Sequence, residues 1–581
     1  MKMLKSLRGR LLLTAVVSAA VFAAAFEAAG QEAEFALDFR SPEFREKLPS
    51  GMSLIQNEGM EVLKAENPQP ASNLVVLPVA CGPFAGKRLA LSCELWQNAV
   101  SAKRAEEDGV ILALVWTGAD GRRGRAAVRT PNGGRGWSLR SVKFELPAEA
   151  RDAELQIGLE NVSGSVMFRR IRLEEADRVP DFENVFITGE CERDSALYRP
   201  GEPAKFRFRI FDGEKAVSGR LELLVSGDDG ERKTVCADVS ADTPAEIAAT
   251  LNTPGFVMVR ATLLTPGGAV IDYPKTMMPL RYGMGAGFAA EELRQGAPEP
   301  ADFDAFWQKS LALLKATPMT VLEKKPFQTK DNCEIFDVSI AAPGPRPAVG
   351  LLSIPIGAKE KSLPLEIRFS GYGIGPTWPV TRPDAIVFRV NAHGIPNNGT
   401  PEYYRSLASK ELASYGFRND ENADPEKCYF RNMILRDLRA LEYAKSLPEW
   451  DGRNILSAGG SQGAFQAAAV AALDPAVTEC DMEVPWLCDL GGITVKRTRG
   501  WRPDWQPALG YFDTVNFGKR IRGEVKITAG LSDWICPPSG VQVLYNHLKA
   551  PKRLTFMQGK DHGFYPGYNP DRAQKSVQSS P

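Results

Sequence analysis

The chain has 581 residues, of which 44% are hydrophobic and 24% charged, a composition typical of soluble globular proteins. That length exceeds what one hydrophobic core supports, so several domains are expected. Lys and Arg together number 71, as do Asp and Glu, and this balance argues against a nucleic-acid-binding protein, which normally carries a basic excess.

Residues 1–30 have the order of a secretory signal peptide. Basic side chains between Lys2 and Arg10 precede an apolar run from Leu11 to Phe26, and small residues follow. The apolar run is short for a bilayer, so we expect no membrane span after signal removal and a secreted or periplasmic protein. A retained N-terminal anchor is the alternative interpretation.

Residues 33–176 alternate short β-rich runs with turns, which predicts an all-β sandwich. Three of these runs are residues 86–93, 144–150 and 164–173. Their order resembles that of carbohydrate-binding jelly rolls, in pattern and not in a binding motif. Two interpretations of the tryptophans stay open, sugar stacking and core packing. The tryptophans are Trp96, Trp116 and Trp137.

Residues 182–282 have the length and strand pattern of an immunoglobulin-like sandwich, with clean period-two alternation over residues 204–210. No chemistry is visible in this module, and its predicted role is that of a spacer. Cys191 and Cys236 fall within it and are candidates for a disulfide. The nine cysteines are scattered without C-x-x-C spacing, which indicates neither a zinc site nor a dense disulfide framework.

Residues 290–570 have a different pattern, a helix over residues 302–314 followed by β-rich runs that alternate with helices. This predicts a mostly parallel sheet with helices on both faces. A flexible tail is expected over residues 571–581. The strands are expected near residues 335–343, 347–354, 364–369, 385–391, 453–458, 478–484, 524–530 and 552–557. The best helices are expected near residues 401–414, 427–447, 461–473 and 538–549.

The run Gly459-Gly460-Ser461-Gln462-Gly463 contains the Gly-x-Ser-x-Gly pattern of a nucleophile on a strand-to-helix turn. The pattern alone occurs by chance in a chain of this size. Here a short apolar strand precedes it and a strongly helix-forming run follows, so the context favours Ser461 as a nucleophile.

The base and the acid follow from chain order, which in α/β-hydrolases is Ser, then Asp or Glu, then His. Of the three histidines, His393 precedes the serine and His547 lies inside an amphipathic helix. His562 stands in a glycine-flanked loop after the last predicted strand, where the base is expected. Asp533 is the carboxylate in the loop after the preceding strand. These positions predict a triad of Ser461, Asp533 and His562.

Acyl transfer also needs backbone donors for the oxyanion. The amide of Gln462 is one candidate, and that of Tyr372, in the glycine-rich loop 370–376, is the other. A phosphate-binding loop is disfavoured because no Gly-Lys-Ser/Thr follows. Trp486, Trp534 and the Tyr372 side chain are candidate substrate contacts, with packing as the alternative for the aromatic residues of 485–522.

Six short pieces of residues 290–570 resemble the acetyl xylan esterase/cephalosporin C deacetylase family of α/β-hydrolases. They are Asp-Phe-Asp-Ala-Phe-Trp (302–307), Gly-Tyr-Gly (371–373), Gly-Gly-Ser-Gln-Gly (459–463), Val-Pro-Trp-Leu-Cys-Asp (484–489), Gly-Leu-Ser-Asp-Trp-Ile-Cys-Pro-Pro (530–538) and His-Gly-Phe (562–564). The resemblance implies the same triad and oxyanion amides, removal of acetyl groups from sugar hydroxyls, and no metal or cofactor.

The chain departs from the family's pattern at two places. Ala464 stands where the family usually has glycine, and an Asn-Ala-His-Gly-Ile run replaces its Arg-Gly-Gln motif. His393, within that run, is therefore expected to be a hydrogen-bonding residue of the loop. The two β modules also depart from the compact form of the family.

Together these observations predict two all-β sandwiches followed by an α/β-hydrolase domain, in a secreted serine esterase that deacetylates a glycan. One alternative is an esterase for larger acyl groups, feruloyl or glucuronoyl, or a serine peptidase of the same fold. The other is a glycan-binding protein with an inactive hydrolase domain. The sequence does not predict the glycan or the oligomeric state.

Overall fold

The structure is a computed structural model that describes residues 34–240, 242–563 and 577–578. It divides into two units, which end and begin at Asp181 and Phe182. The predicted signal peptide and most of the predicted tail lie outside the described residues. Among the described helices, none has both the length and the apolar composition needed to cross a bilayer.

The first unit is built from β-strands that enclose one apolar core. Its long strand β8 pairs with β3 along most of its length, with β5 through its first half and with β4 through its second half. Irregularities between Asn67 and Asn73 let β3 bend with it. The elements are β1 Glu34–Ala36, α1 Pro42–Glu46, β2 Met52–Asn57, β3 Met60–Val79, β4 Arg88–Val100, β5 Gly109–Thr117, β6 Arg123–Ala127, β7 Gly133–Glu145 and β8 Arg151–Glu175.

The three tryptophans of this unit differ in burial. Trp116 belongs to the core and stacks on Phe144, with ring centroids 5.6 Å apart. Trp96 and Trp137 are partly exposed. The guanidinium of Arg169 lies 4.1 Å from the ring centre of Trp137 and covers one face of it.

The second unit begins with two facing sheets, one with strand order β10–β19–β16–β13–β14 and one in which β11 pairs with β9, β12 and β15. We call this part, residues 185–288, the second sandwich. Its strands are β9 Val185–Cys191, β10 Leu197–Tyr198, β11 Ala204–Asp212, β12 Lys215–Ala216, β13 Gly219–Gly227, β14 Arg232–Val239, β15 Ala245–Ala249, β16 Gly255–Leu264, β17 Asp272–Tyr273, β18 Met278–Pro279 and β19 Arg281–Phe288.

The disulfide considered for this module is not formed. Cys191 is buried on β9, where its sulfur lies 3.3 Å from the Tyr198 hydroxyl, whereas Cys236 is exposed on β14 of the other sheet. They form no disulfide because they belong to different sheets of the sandwich.

The remainder of the second unit contains a sheet with strand order β20–β21–β22–β24–β23–β25–β26–β27–β28–β29. The pairs from β24 to β28 along this order are parallel, and the flanking pairs are antiparallel. The strands are β20 Val321–Lys330, β21 Cys333–Ile340, β22 Ala348–Pro355, β23 Leu363–Phe369, β24 Ile386–Asn391, β25 Trp450–Gly460, β26 Glu479–Glu483, β27 Glu524–Gly530, β28 Lys552–Met557 and β29 Val577–Gln578. The helices are α2 Phe303–Ala316, α3 Pro401–Ser409, α4 Asn419–Asn422, α5 Tyr429–Ala444, α6 Gln462–Leu473, α7 Thr514–Gly518 and α8 Pro538–His547.

This topology decides where the site lies. The carboxyl ends of parallel strands meet at one edge of a sheet, and ligand sites of open α/β sheets form there. The loops after β23, β25, β27 and β28 therefore converge, and these loops carry Tyr372, Ser461, Asp533 and His562.

Candidate active site

Ser461 lies in the turn between β25 and α6 with φ 56° and ψ −120°, a conformation that is strained for a residue with a side chain. Two glycines make the turn possible. A Cβ atom at Gly459 would lie 2.5 Å from the Gly463 backbone, and one at Gly463 would lie 2.5 Å from the Phe369 carbonyl oxygen. The Ser461 amide donates to the Glu483 carbonyl at 2.8 Å, which holds the turn against the neighbouring strand.

Ser461, His562 and Asp533 form a continuous line of hydrogen bonds. Nε2 of His562 is 2.9 Å from Oγ of Ser461, and its Nδ1 is 3.0 Å from Oδ2 of Asp533. The Asp533 side chain is fully buried, and its other oxygen accepts the amides of Ile535 and Cys536, both at 2.8 Å. These bonds fix the carboxylate, which in turn orients the imidazole toward the serine.

The protonation of His562 is set by opposing effects. Burial lowers the pKa of His562, but the hydrogen bond that its Nδ1 donates to Asp533 and the negative charge of Asp533 outweigh burial, so the net shift of that pKa is upward. A raised pKa makes the imidazole a better proton acceptor when the serine attacks an ester.

Asp533, Cys536 and His562 also offer potential metal-ligand atoms within 4.8 Å of one another. Both oxygens of Asp533 are already engaged by the imidazole and by backbone amides. Burial raises the pKa of the Cys536 thiol well above its ordinary value, which disfavours the thiolate that a metal would need. The donor set therefore fits an oriented acid–base pair better than a metal centre.

Two backbone amides near Ser461 have no acceptor among the described residues, those of Tyr372 and Gln462. Gln462 opens helix α6, so its N–H points out of the helix end, where the dipole favours negative charge. The loop that carries Tyr372 approaches the serine closely, since a Cβ atom at Gly371 would lie 3.9 Å from Ser461 Cβ. Paired free amides of this kind are what an oxyanion hole requires.

Buried polar side chains hold the Tyr372 loop in place. The Tyr415 hydroxyl accepts the amide of Gly373 at 3.0 Å and donates to Oε1 of Gln462 at 2.9 Å. Nε2 of His393 donates to the Gly373 carbonyl at 2.8 Å, while its Nδ1 accepts from the Tyr429 hydroxyl at 2.7 Å. Burial lowers the pKa of His393 to about 4, so this histidine stays neutral and keeps both bonds.

His393 is thus a hydrogen-bonding loop residue, and it contacts neither Ser461 nor Asp533 through any hydrogen bond of the described residues. Nδ1 of His547 donates to the Val543 carbonyl of its own helix at 2.8 Å. Tyr415 was not identified from the sequence. Its partners are 42 and 47 residues away along the chain, and no local pattern announces such a contact.

A second residue missed from the sequence is Asp561, which joins the acid and base loops. Its Oδ1 accepts the amide of Trp534 at 3.1 Å and that of His562 at 2.9 Å. Trp534 directly follows Asp533, so one carboxylate links the backbones on either side of the acid–base pair.

The aromatic residues near the site differ in access. Trp486 is 1% exposed, because Trp501 stacks on it at 5.5 Å and is itself 42% exposed. The Tyr372 ring stacks on Tyr415 at 4.2 Å, and burial raises the pKa of its phenol to about 12. Trp534 is partly exposed. The ring available to a ligand at the Trp486 position is therefore that of Trp501.

A serine on a strand-to-helix turn, followed in hydrogen-bond order by a histidine and a buried carboxylate, is the arrangement used by α/β-hydrolases that cleave esters and amides. Comparison with known proteins narrows this class. The family model described as acetyl xylan esterase (AXE1) matches residues 289–499 and 504–579.

Acetyl esterase Axe7A of Xylanibacter ruminicola is 27% identical over 387 residues, which cover 63% of this chain and 84% of that protein. Among solved structures, the acetyl xylan esterase from Paenibacillus sp. R4 is 24% identical and has a TM-score of 0.40, covering 48% of this chain and 94% of that one. Acetyl xylan esterase 1 from Thermoanaerobacterium sp. is 22% identical with a TM-score of 0.36, and the match covers 47% of this chain and 92% of that one.

Through residues 289–579 the chain belongs to the acetyl xylan esterase family. It is accordingly a carboxylic ester hydrolase and a carbohydrate esterase. The family resemblance and the enzyme class predicted from the sequence are confirmed.

Proposed function

We propose that the protein is a secreted serine esterase that removes O-acetyl groups from a polysaccharide or its oligosaccharides. The observation that carries this proposal is the line of hydrogen bonds from Ser461 Oγ through His562 to the buried carboxylate of Asp533. The names of its relatives, an acetyl esterase and acetyl xylan esterases, support the acetyl group and the sugar.

In this mechanism Ser461 attacks the acetyl carbonyl while His562 takes its proton, and the sugar hydroxyl leaves with that proton. Asp533 stabilises the imidazolium that forms. The amides of Tyr372 and Gln462 donate to the oxyanion of the tetrahedral intermediate. Water activated by His562 then hydrolyses the acetyl-serine and releases acetate.

A cavity of about 350 Å³ is lined by residues 370–378, the loop that carries Tyr372, and by residues 391–393. Trp378 lines it with a side chain that is 56% exposed, and the Arg389 guanidinium lies 3.7 Å from the centre of its ring. An exposed indole held by a cation on one face offers the other face for stacking on a sugar ring. We propose that Trp378 contacts the sugar that bears the acetyl group or its neighbour.

The proposal is tested by measuring acetate release from a panel of acetylated polysaccharides, with aryl acetates as small substrates. Ser461→Ala is expected to abolish both activities without loss of folding, because Oγ of Ser461 is the group hydrogen-bonded to Nε2 of His562. Ser446→Ala serves as the control, since its hydroxyl only contacts the Tyr443 carbonyl at the end of α5. Hydrolysis retained by Ser461→Ala would contradict the assignment.

Two further measurements resolve the substrate. The rate of hydrolysis of aryl esters is expected to fall as the acyl chain lengthens. Preference for a feruloyl or peptide substrate would favour the alternative functions. Trp378→Ala is expected to raise KM for acetylated oligosaccharides and to leave aryl acetate hydrolysis unchanged. Trp450→Ala, at the opposite end of strand β25, is the matched control.

Secretion rests on the signal-like order of residues 1–30 and is tested separately. Expression of the full chain in a bacterial host is expected to yield exported protein whose mass lacks about these residues. Export with the segment retained would instead indicate an N-terminal anchor.

A further inference from the structure

The second sandwich, residues 185–288, is bound to the loop that carries His562. Gln558 and Gly285 exchange two hydrogen bonds, from Gly285 N to Oε1 at 2.9 Å and from Nε2 to the Gly285 carbonyl at 2.7 Å. The Gly559 amide donates to the Gly283 carbonyl at 3.0 Å. Strand β19 of the sandwich therefore holds the chain three residues before the histidine.

The same sandwich also reaches the loop that carries Asp533. The backbone of β19 approaches so closely that a Cβ atom at Gly285 would lie 2.1 Å from the Leu531 carbonyl oxygen. On the next strand, β16, the Arg260 guanidinium lies 4.6 Å from the centre of the Trp534 ring. Leu531 and Trp534 stand on either side of the catalytic acid position.

A buried carboxylate of the sandwich fixes the far end of this loop. Asp228 is 8% exposed, and its Oδ1 accepts the Thr498 amide at 2.9 Å and the Ser539 hydroxyl at 3.2 Å. Its Oδ2 accepts the Phe256 amide within the sandwich at 2.8 Å. Ser539 lies in the first turn of α8, directly after the acid loop.

The contacts converge on Asp561, the carboxylate that joins the two loops through the amides of Trp534 and His562. Burial and the negative charge of Asp533 raise the pKa of this carboxyl group, and the positive charge of Arg260 opposes part of that shift. Among the described residues the Arg260 side chain has no hydrogen bond or ion pair that would hold it elsewhere. Its packing on Trp534 and its charge therefore act on the hydrogen bonds by which Asp561 joins the Asp533 loop to the His562 loop.

We propose that the second sandwich is a positioning module of the active site, and that Arg260 is its positioning residue for the Asp533 and His562 loops. The inference rests on the proposed roles of these two residues. It replaces the spacer role predicted from the sequence, which could not reveal a contact between parts of the chain separated by 273 residues.

The test uses full-length Arg260→Met, which keeps the aliphatic packing and removes the charge. We expect turnover of an aryl acetate to fall about tenfold while KM is unchanged, because a small displacement of the reacting groups lowers the rate by roughly this factor. The rate at which a fluorophosphonate labels Ser461 is expected to fall in parallel, because labelling needs the same aligned base. Arg260→Lys, which retains a cation over the indole, is expected to restore most of the turnover.

Arg207→Met is the matched control, because Arg207 lies on the other sheet of the same sandwich and pairs with Glu246 at the surface. It should leave turnover and labelling unchanged. Turnover of Arg260→Met within twofold of the parent, or an equal fall in Arg207→Met, would overturn the proposal. Ser461→Ala, measured alongside, distinguishes failure of the proposed function from failure of this inference. Activity in Ser461→Ala would refute the proposed function. Normal activity of Arg260→Met, with Ser461→Ala inactive, would refute this inference alone.

Discussion

Each of the two β modules of this chain has an arginine packed over a tryptophan ring, but the two contacts join different parts of the chain. In the first unit, Arg169 lies over Trp137 and pairs with Glu94, and all three side chains belong to that unit. In the second sandwich, Arg260 lies over Trp534, which belongs to the acid loop. The arginine–tryptophan contact therefore lies within the module in the first unit, whereas in the second sandwich it joins the module to the loop that carries Asp533.

The difference shows that two β modules of similar appearance in one sequence can have unequal roles. The contacts of Arg169 with Trp137 and Glu94 lie within the first unit, so a substitution there should act on the stability of that unit. The second sandwich shares hydrogen bonds with the loop that carries His562, so a substitution at these contacts should act on turnover. Matched substitutions in the two modules test this contrast.

The largest effect is expected from Gly285→Val in the second sandwich. Its added carbon would meet the Leu531 carbonyl, a backbone atom that cannot move without shifting the acid loop. A displacement of about 1 Å costs on the order of 100-fold in rate, and overpacking lowers the free energy of unfolding by about 1–3 kcal/mol. Turnover of an aryl acetate and urea unfolding measure the two effects.

Gly136→Val is the counterpart in the first unit, where nothing lies within 4 Å of an added Cβ atom. This exposed position on β7 should accept the side chain with turnover unchanged. Equal losses in both variants would mean that valine acts through general misfolding and would remove the contrast.

An intermediate effect is expected from Asp228→Ala. The substitution leaves the Thr498 and Phe256 amides and the Ser539 hydroxyl without their acceptor, and a buried donor without a partner costs about 1–3 kcal/mol. We expect a lower free energy of unfolding and a several-fold fall in turnover. Urea titration and steady-state kinetics on the same preparation check both.

Asp108→Ala provides the comparison in the first unit. Asp108 accepts the amides of Arg104 and Ala105 and the side chain of Asn161, all within that unit. Its loss should leave kcat and KM for soluble substrates at the parent values. A fall in turnover as large as that of Asp228→Ala would contradict the division of roles.

The sequence predicts features formed by residues that are close together in the chain and misses those formed by distant ones. The turn around Ser461 is a local feature, since Gly459 and Gly463 shape it within five residues, and it was identified from that pattern. The strands of this sheet were also located, except its two edge strands. Strand β20 is exposed throughout, and its register shifts between Val321 and Glu323 and between Pro326 and Gln328. Strand β29, Val577–Gln578, pairs with β28 inside the segment predicted to be a flexible tail, so that part of the prediction is wrong. An exposed edge strand with no periodicity of burial leaves no pattern to detect.

Tyr415, Asp561 and Arg260 could not be assigned in this way. Each acts through a partner brought near by the fold, and a tyrosine, an aspartate and an arginine in ordinary segments carry no signal of it. Trp486 was predicted as a substrate contact, but of the two stacked rings Trp501 is the exposed one. Which of two stacked rings faces solvent depends on the fold and leaves no pattern in the sequence.

A smaller effect concerns the pH dependence of kcat/KM. In the proposed mechanism the base is neutral His562, so the profile should fall on the acid side as the imidazole is protonated. The charges facing this imidazole are Asp533 and Asp561, which raise its pKa, and Lys560, which lowers it. Asp561→Asn removes one negative charge, which lowers the pKa of His562, and the acid limb should move to lower pH.

The pH profile also separates the two modules. Asparagine keeps an oxygen that can accept the Trp534 and His562 amides, so most of the turnover at neutral pH should remain. Glu94→Gln in the first unit changes charge by the same amount beside Arg169 and should leave the acid limb in place. An unchanged limb in Asp561→Asn would mean that this carboxylate does not act on the base.

The smallest effect is expected from Trp137→Ala in the first unit. The substitution removes the ring beneath Arg169, a contact of about 1 kcal/mol, while Arg169 keeps its hydrogen bond to Glu94. Kinetic constants for an aryl acetate and for acetylated oligosaccharides should match the parent, and only the unfolding of this unit should shift. Sedimentation with insoluble polysaccharide, compared between this variant and the parent, measures whether Trp137 binds glycan. Reduced turnover of the aryl acetate would show instead that the first unit also acts on the catalytic loops, because that substrate has no glycan for Trp137 to hold.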